Sequence, residues 1–135
     1  MKSLAVAAVV LWATLALLDF LWLSTATRLL YRPKLGPLLN EQLVWPPAIL
    51  FYVLYGIGIL AFVVRPALAG DGGTPLTAFG WGLLFGLVAY GAYDLTNHAT
   101  IPNWPLSVTV IDMAWGALIT GLAAGAATWA GQKFA

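Results

Sequence analysis

Three acidic residues lie within strongly apolar stretches of this sequence, where an ionised side chain is costly. They are Asp19, Asp94 and Asp112. A carboxylate at the centre of a bilayer costs about 2.5–3.5 kcal/mol on insertion scales, so such groups normally face the protein interior and bind a proton, a cation or a hydrogen-bond donor. The three acids are therefore candidates for a polar binding site, or for interhelical hydrogen bonds that only hold the helices together.

Two of these acids begin the same short motif, D-x-x-W. Asp19 precedes Trp22 by three residues, and Asp112 stands in the same relation to Trp115. On a helix this spacing puts the carboxyl group and the indole ring on one face. Since an indole N–H can donate a hydrogen bond to a carboxylate, we expect both tryptophans to belong to the same polar site as the acids.

The composition excludes several classes of protein and of site. Hydrophobic residues make up 61% of the 135 residues and charged residues only 8%, whereas a soluble protein has about 25% charged residues. The chain has no cysteine and one histidine, which excludes disulfide bonds, zinc–thiolate sites and multi-histidine metal sites within one chain. A net charge of +1 gives no signal for a nucleic-acid partner. We predict no metal and no cofactor, with membrane lipid as the surrounding partner.

Four apolar runs are long enough to cross a membrane. They occupy about residues 4–23, 47–64, 76–94 and 105–130. A helix needs about 20 residues to span roughly 30 Å of hydrocarbon, and none of the runs alternates with the period of a barrel strand. We predict an all-α membrane protein, with residues 1–135 forming one up-down-up-down bundle of four transmembrane helices. The first run is too long for the core of a typical signal peptide, so we expect it to remain as a span.

The direction of the spans collects the acids in one half of the bundle. The ends of the first and third spans and the start of the fourth lie on one side of the membrane, and polar residues such as Tyr31 on that side are candidate partners. We therefore predict a polar, acid-lined half-bundle that binds a ligand or protons. Its site residues are Asp19, Asp94, Asp112, Trp22, Trp115, Asn97, Tyr93 and Tyr52.

Two GxxxG segments, at residues 82–86 and 121–125, lie in the third and fourth runs. Glycine at this spacing lets helix backbones approach closely in a membrane. The pattern predicts either contact between the third and fourth spans or the interface of a homodimer.

Tryptophans and charges near the ends of the runs are typical of membrane interfaces. We interpret five tryptophans as interfacial anchors, namely Trp22, Trp45 and Trp104 on one side and Trp81 and Trp129 on the other. We interpret three polar residues in or next to the connecting segments as surface residues, namely Glu41, Asp71 and His98. Lysine and arginine are balanced between the two sides and give no orientation signal. The free α-amino group adds one positive charge to the side of the termini, which gives a weak preference for cytoplasmic termini.

Several segments resemble a bacterial family of small predicted membrane proteins, catalogued as domain of unknown function 2177. The most specific are Y-D-L-T-N at 93–97, W-P-L at 104–106 and D-M-A-W-G at 112–116. D-F-L-W-L at 19–23 and R-P-A-L at 65–68 are also similar, so the resemblance extends over essentially the whole chain. It implies a multi-pass protein of the bacterial inner membrane with four helices. It implies no activity, cofactor or catalytic residue.

Three functions are compatible with these features. In the first, the acid-lined half-bundle binds protons or a small amphipathic, lipid-like ligand whose tail lies along apolar walls. In the second, the chain is an accessory or structural subunit of a larger membrane complex. In the third, it is an intramembrane enzyme that modifies a lipid, with one carboxyl group as general acid or base. The sequence has no recognisable nucleophile, metal set or phosphate loop, so the enzyme hypothesis ranks last.

Overall fold

The structure is a computed structural model that describes residues 2–39, 43–70 and 72–134. These residues form four long helices and no strand: α1 (Lys2–Leu38), α2 (Trp45–Ala69), α3 (Pro75–Thr100) and α4 (Leu106–Phe134). Each helix is long and apolar enough to cross a membrane, which confirms the predicted all-α class. Glu41 and Asp71, which we expected at the surface, lie outside the described residues.

All four helices extend beyond the apolar runs that predicted them. The largest difference is in α1, which continues from the predicted end at residue 23 to Leu38. The reason is that hydropathy marks only the part of a helix that lies in hydrocarbon, whereas the backbone hydrogen bonds of a helix continue into polar surroundings. The continuation of α1 supplies side chains that the site uses.

A widened helical turn lies in the second half of both α1 and α2. A π-helical turn spans Thr27–Tyr31 in α1 and Leu60–Val64 in α2, and an Arg-Pro pair follows each of them directly. Proline has no N–H to donate, and its ring clashes with the carbonyl group four residues earlier. The wider turn relieves this clash, so both helices continue through their prolines without a break.

Neighbouring spans run in opposite directions. In each pair of helices that are in contact, the residue numbers on one helix fall as those of their contact partners on the other helix rise. The contacts pair residue 12 with 56 and 19 with 52 (α1–α2), 62 with 85 and 55 with 90 (α2–α3), 82 with 121 and 91 with 113 (α3–α4), and 3 with 131 and 19 with 115 (α1–α4). These pairs close the four helices into a ring and confirm the up-down-up-down bundle.

The contact between α3 and α4 depends on small residues. A Cβ atom added at Gly86 would lie 2.1 Å from the carbonyl oxygen of Gly116, and one at Gly82 would lie 2.8 Å from the Cα atom of Gly121. Only glycine permits so close an approach of two helix backbones. The predicted contact between the third and fourth spans is confirmed. Because these glycines are buried inside one chain, a homodimer, which stays a prediction, would need a different surface.

Large apolar side chains cover the outside of the bundle as well as its interior. Leu11 and Ile119 are fully buried at the centre, whereas Phe62 and Leu76 are 73% and 77% exposed. An apolar outer surface of this extent is unfavourable in water and favourable in hydrocarbon. The exposed faces therefore agree with a bundle surrounded by lipid.

The tryptophans predicted as interfacial anchors divide into two groups. Trp45, Trp81 and Trp129 are exposed on the outside of the bundle, in agreement with the prediction. For Trp104 the prediction is wrong, because it is only 7% exposed, and Trp22 stacks on another indole inside the protein. Their polar N–H groups have protein partners, which an interfacial anchor would not need.

The last turns of α1 cover one end of the bundle. A second small core forms there from Leu35, Trp104 and Val108, and Tyr31 packs against it. This contact holds the extension of α1 against the start of α4. It thereby places the Tyr31 side chain next to the acids of the predicted half-bundle.

Candidate functional site

Asp19 lies where α1, α2 and α4 meet. The Tyr52 hydroxyl donates to Asp19 Oδ2 at 2.6 Å, and the Trp115 indole N–H donates to Asp19 Oδ1 at 3.3 Å. The same hydroxyl also lies 2.9 Å from the carbonyl oxygen of Leu15. Each carboxylate oxygen of Asp19 thus has a neutral donor, and each donor comes from a different helix.

Asp112 is bonded from the extension of α1. The Tyr31 hydroxyl donates to Asp112 Oδ1, and the Trp22 indole N–H donates to the Tyr31 oxygen at 3.1 Å. The rings of Trp22 and Trp115 stack in parallel, with centroids 4.5 Å apart and planes 6° apart. Asp19 and Asp112 are therefore the two ends of one network that passes through the stacked indoles.

This network connects each tryptophan with the acid of the other D-x-x-W motif. The two motifs lie on antiparallel helices, so the order of acid and indole along the membrane normal is reversed between them. Trp115 consequently lies level with Asp19, and Trp22 lies close to the level of Asp112. The expectation that both indoles belong to the acid site agrees with this geometry, and the crossed pairing is an additional finding.

Asp94 is in a different environment from the other two acids. Its side chain is 0% exposed, and within the described ranges neither of its carboxylate oxygens has a hydrogen-bond partner. Asp112 on α4 is its acidic neighbour. An ionised carboxylate buried without a donor is strongly unfavourable, and a second negative charge beside it adds repulsion. Among the three predicted acids, Asp94 is the one that the surrounding donors leave unsatisfied.

A cleft of about 1150 Å³ leads from the gap between α1 and α2 to this network. The side chains of its described lining that can hydrogen-bond are Trp12, Asp19, Trp22, Thr27, Tyr31, Arg32, Trp45, Tyr52, Tyr90, Tyr93, Asp112 and Trp115. The outer walls are apolar and include Phe20, Leu23, Ile49 and Val53. Tyr90, Tyr93, Asp112 and Trp115 belong to α3 and α4, which stand across the ring from the α1–α2 gap. Asp19, Trp22 and Tyr31 are joined to Asp112 or Trp115 by hydrogen bonds or ring stacking, so these groups form the inner wall, and mainly apolar groups border the opening.

The opening of the cleft faces the lipid-exposed side of the bundle. The part of α2 before its π-helical turn buries only Tyr55, Gly56 and Ile59, all toward the middle of the helix. Nearer its start, Trp45 and Ile49 are exposed. The two helices thus contact each other around Tyr52 and separate toward the end that carries the acids.

Six of the predicted site residues line the cleft: Asp19, Trp22, Tyr52, Tyr93, Asp112 and Trp115. Asp94 lies behind Asp112, and Asn97 is absent from the lining formed by the described residues. Tyr31, expected only as a partner on the same side, donates directly to Asp112. The binding role of these residues stays a prediction.

Two features of this half-bundle had not been predicted. The Trp104 indole donates to Thr109 Oγ1 at 3.0 Å, and the same oxygen lies 3.1 Å from His98 Nδ1. His98, which we interpreted as a surface residue, is half-buried and has this additional contact. No pattern in the sequence connects these three positions. Trp12 was also missed; its indole donates to the carbonyl oxygen of Tyr52 at 3.2 Å and fixes α2 against α1.

Replacing Trp115 by phenylalanine tests the crossed network. The Trp115→Phe variant keeps an aromatic ring against Trp22 but removes the donor to Asp19, so we expect a loss of about 1 kcal/mol in unfolding free energy. Unfolding in sodium dodecyl sulfate, followed by circular dichroism, measures it. Trp81→Phe, at a residue 61% exposed, should change stability by less than about 0.5 kcal/mol. Equal effects of the two substitutions would contradict the proposed bond.

Comparison with known proteins identifies the family of the chain. No curated protein and no solved structure matches it. The model of one protein family, described as predicted membrane protein (DUF2177), matches residues 4–129. This match includes all four helices and each of the three acids, in agreement with the resemblance in the sequence. The chain therefore belongs to the DUF2177 family of predicted membrane proteins.

Proposed function

We propose that this membrane protein binds a lipid-like amphipathic molecule in the cleft between α1 and α2. The observation that carries the proposal is the distribution of side chains in the cleft, with hydrogen-bonding groups on the inner wall and apolar groups at the opening. Ligand sites of about 300–1,000 Å³ are typical for small molecules. A cleft of about 1150 Å³ has room for a polar end and an alkyl tail.

The bilayer itself is the proposed source of the ligand. A molecule in the membrane would enter sideways between Phe20 and Leu23 on α1 and Ile49 and Val53 on α2, without leaving hydrocarbon. Its polar end would then exchange contacts with water and headgroups for contacts with Tyr52, Tyr31 and the two accessible acids. Moving the alkyl tail from lipid into the cleft contributes little binding free energy, because both surroundings are apolar. The polar contacts would therefore decide which molecule binds.

We further propose that the membrane is the bacterial inner membrane. Support comes from the helical spans, since the spanning proteins of the bacterial outer membrane are characteristically β-barrels, and from the resemblance described above.

Photocrosslinking can test the cleft directly. The probe is a single-chain amphiphile with a diazirine in its alkyl tail, added to protein in phosphatidylcholine nanodiscs, and the labelled peptides are identified by mass spectrometry. We expect saturable labelling of the cleft walls around residues 20–23 and 49–53. Labelling of the outer lipid-facing surface should be weak and should not saturate.

A matched pair of variants separates the cleft from the outer surface. Ala48 lines the cleft, so Ala48→Trp should fill part of it and lower the saturable labelling about tenfold. Ala61 is on the same helix, is exposed and is not part of the described lining, so Ala61→Trp should leave the labelling unchanged. Equal labelling of both variants and wild type would overturn the proposal.

The other two hypotheses stay predictions. The GxxxG segments that suggested an interaction surface are occupied by α3–α4 packing within the chain, which removes the main sequence argument for an accessory subunit. Lipid modification would require a reactive group beside the polar end of the ligand, and the inner wall supplies carboxyl groups and phenols for acid–base steps alone.

A further inference from the structure

We infer that the ligand of this cleft is a lipophilic cation, taken up in exchange for one proton held by the Asp94–Asp112 carboxyl pair. The inference rests on the proposed function and names the chemical class of its ligand. Three observations carry it: the buried carboxyl group of Asp94 without a donor among the described residues, the neighbouring Asp112 that lines the cleft, and the aromatic rings that line the cleft with the accessible acids.

The charge of the Asp94–Asp112 pair follows from its surroundings. Asp94 is fully buried, no N–H or hydroxyl group of the described residues donates to its oxygens, and its hydrogen-bonding neighbour is the carboxyl group of Asp112. Two ionised carboxylates side by side would repel each other in buried surroundings that screen charges poorly. One proton shared between them removes the repulsion and supplies the missing donor. With no cation bound, the pair therefore carries a single negative charge.

Of the two acids in the pair, Asp112 is the one that is accessible from the cleft. Asp112 lines the cleft, whereas Asp94 lies behind it on α3. Asp19 also lines the cleft, but both of its oxygens already accept hydrogen bonds, from Tyr52 and Trp115. Asp112 accepts one from Tyr31. A ligand that enters from the lipid thus reaches the Asp112 side of the pair first, and among the described residues the pair has fewer hydrogen-bond donors than Asp19.

Aromatic rings line the same cleft as Asp112. Tyr31, Tyr90 and Tyr93 line the same cleft as the stacked indoles of Trp22 and Trp115. The faces of such rings attract cations, most strongly where water is excluded. An anionic headgroup would instead meet the carboxyl groups of Asp19 and Asp112, with Arg32 as the one cationic side chain in the described lining. Carboxylates and aromatic rings together favour a positively charged amine or quaternary ammonium group with an apolar tail.

Exchange follows from the balance of charge. The positive charge of a cation beside Asp112 attracts both carboxylates, which offsets their repulsion and the loss of the shared O–H donor, so the pair can release its proton. The proton leaves the O–H group of the pair for water, and no covalent bond to carbon forms or breaks. One positive charge enters as one leaves, so the net charge buried in the membrane is unchanged.

Other side chains near the Asp94–Asp112 pair also carry protons, and they must be distinguished from the pair as the group that releases one. Tyr31 and Arg32 on α1 and Tyr90 and Tyr93 on α3 line the cleft with Asp112, and Asp19 lies at the other end of the network. Phenols and guanidinium groups do not ordinarily exchange protons at neutral pH. His98 on α3, bonded to Thr109, is another titratable side chain of this half-bundle. The variant His98→Gln serves as its control.

Titration calorimetry on the full chain in phosphatidylcholine nanodiscs tests the exchange. The probes are decyltrimethylammonium and 1-decylglycerol, which have the same ten-carbon tail, with empty nanodiscs as the reference. Repeating the titration in buffers of different ionisation enthalpy counts the protons released. We expect about one proton per bound cation and a cation affinity that rises about tenfold per pH unit, and no proton release with the neutral probe.

Substitutions assign the proton to the pair. Asp94→Asn should still bind the cation but release no proton, and its affinity should no longer depend on pH. Asp112→Asn should lower cation affinity at least tenfold, and His98→Gln should behave like wild type. The pH dependence of the wild type tests the inference even if a variant fails to fold.

The outcomes separate the inference from the function on which it rests. If both probes bind with similar affinity and no proton is released, the exchange is overturned and the amphiphile-binding cleft stands. If neither probe binds, both proposals are overturned. Proton release that persists in Asp94→Asn and disappears in His98→Gln would also overturn the assignment to the carboxyl pair.

Discussion

Replacing Gly86 by alanine is expected to lower the unfolding free energy of the protein by about 3 kcal/mol, the upper end of the range for overpacked interiors. The added Cβ atom would lie 2.1 Å from the carbonyl oxygen of Gly116 and 2.7 Å from Thr120 Oγ1. A helix backbone cannot yield as a flexible side chain can, so α3 and α4 must separate. Titration with sodium dodecyl sulfate in mixed micelles, followed by circular dichroism, measures the loss.

Gly80 supplies a matched control for this substitution. It lies on the same helix, and a Cβ atom added there would meet nothing within 4 Å. Gly80→Ala should therefore be neutral or slightly stabilising, since alanine has the higher helix propensity. If Gly86→Ala and Gly80→Ala unfold at the same detergent fraction, the close approach of α3 and α4 does not support the bundle as described.

Replacing Gly56 by alanine should disrupt the cleft and lower saturable amphiphile labelling about tenfold. An added Cβ atom would lie 2.3–2.5 Å from three atoms of the Trp12 indole, which lines the cleft and bonds to the carbonyl oxygen of Tyr52. Either the indole moves into the cleft or α2 moves away from α1. We expect a stability loss of about 2 kcal/mol with it, measured by the same unfolding titration.

Gly58→Ala is the control on α2. There the added atom would lie 3.1 Å from the tip of the Phe85 ring, and this ring end can shift by a few tenths of an ångström. The variant should keep both labelling and most of the stability. Unchanged labelling in Gly56→Ala, with the protein folded, would show that Trp12 does not set the shape of the cleft.

Gly86 and Gly56 belong to two parts of the bundle that differ in how tightly they are packed. The close α3–α4 pair and its contacts with α1 hold the acids and their donors in place. The start of α2, by contrast, has few buried side chains and forms a loosely packed wall. Segments with few buried apolar contacts are the ones that open most easily. A fixed polar wall opposite a loosely held apolar one is suited to a ligand that enters from the side.

The sequence alone determined the architecture and the half of the bundle that holds the acids. Hydropathy and length are properties of each segment by itself, and alternating direction then places Asp19, Asp94 and Asp112 on one side without any knowledge of packing. The family match over residues 4–129 agrees with that architecture. The candidates Tyr52, Trp22 and Trp115 were found because polar and aromatic side chains are conspicuous in so apolar a chain.

Only the tertiary structure decided which groups meet. The partner of each side chain depends on the rotation of its helix about its own axis, which is set by contacts such as Trp12 against Gly56 and by the π-helical turn of α1. These contacts cross-pair the two D-x-x-W motifs, turn Trp104 inward and leave Asp94 buried behind Asp112. A linear pattern contains the spacing of residues within one helix, but it does not contain the rotation of one helix relative to another.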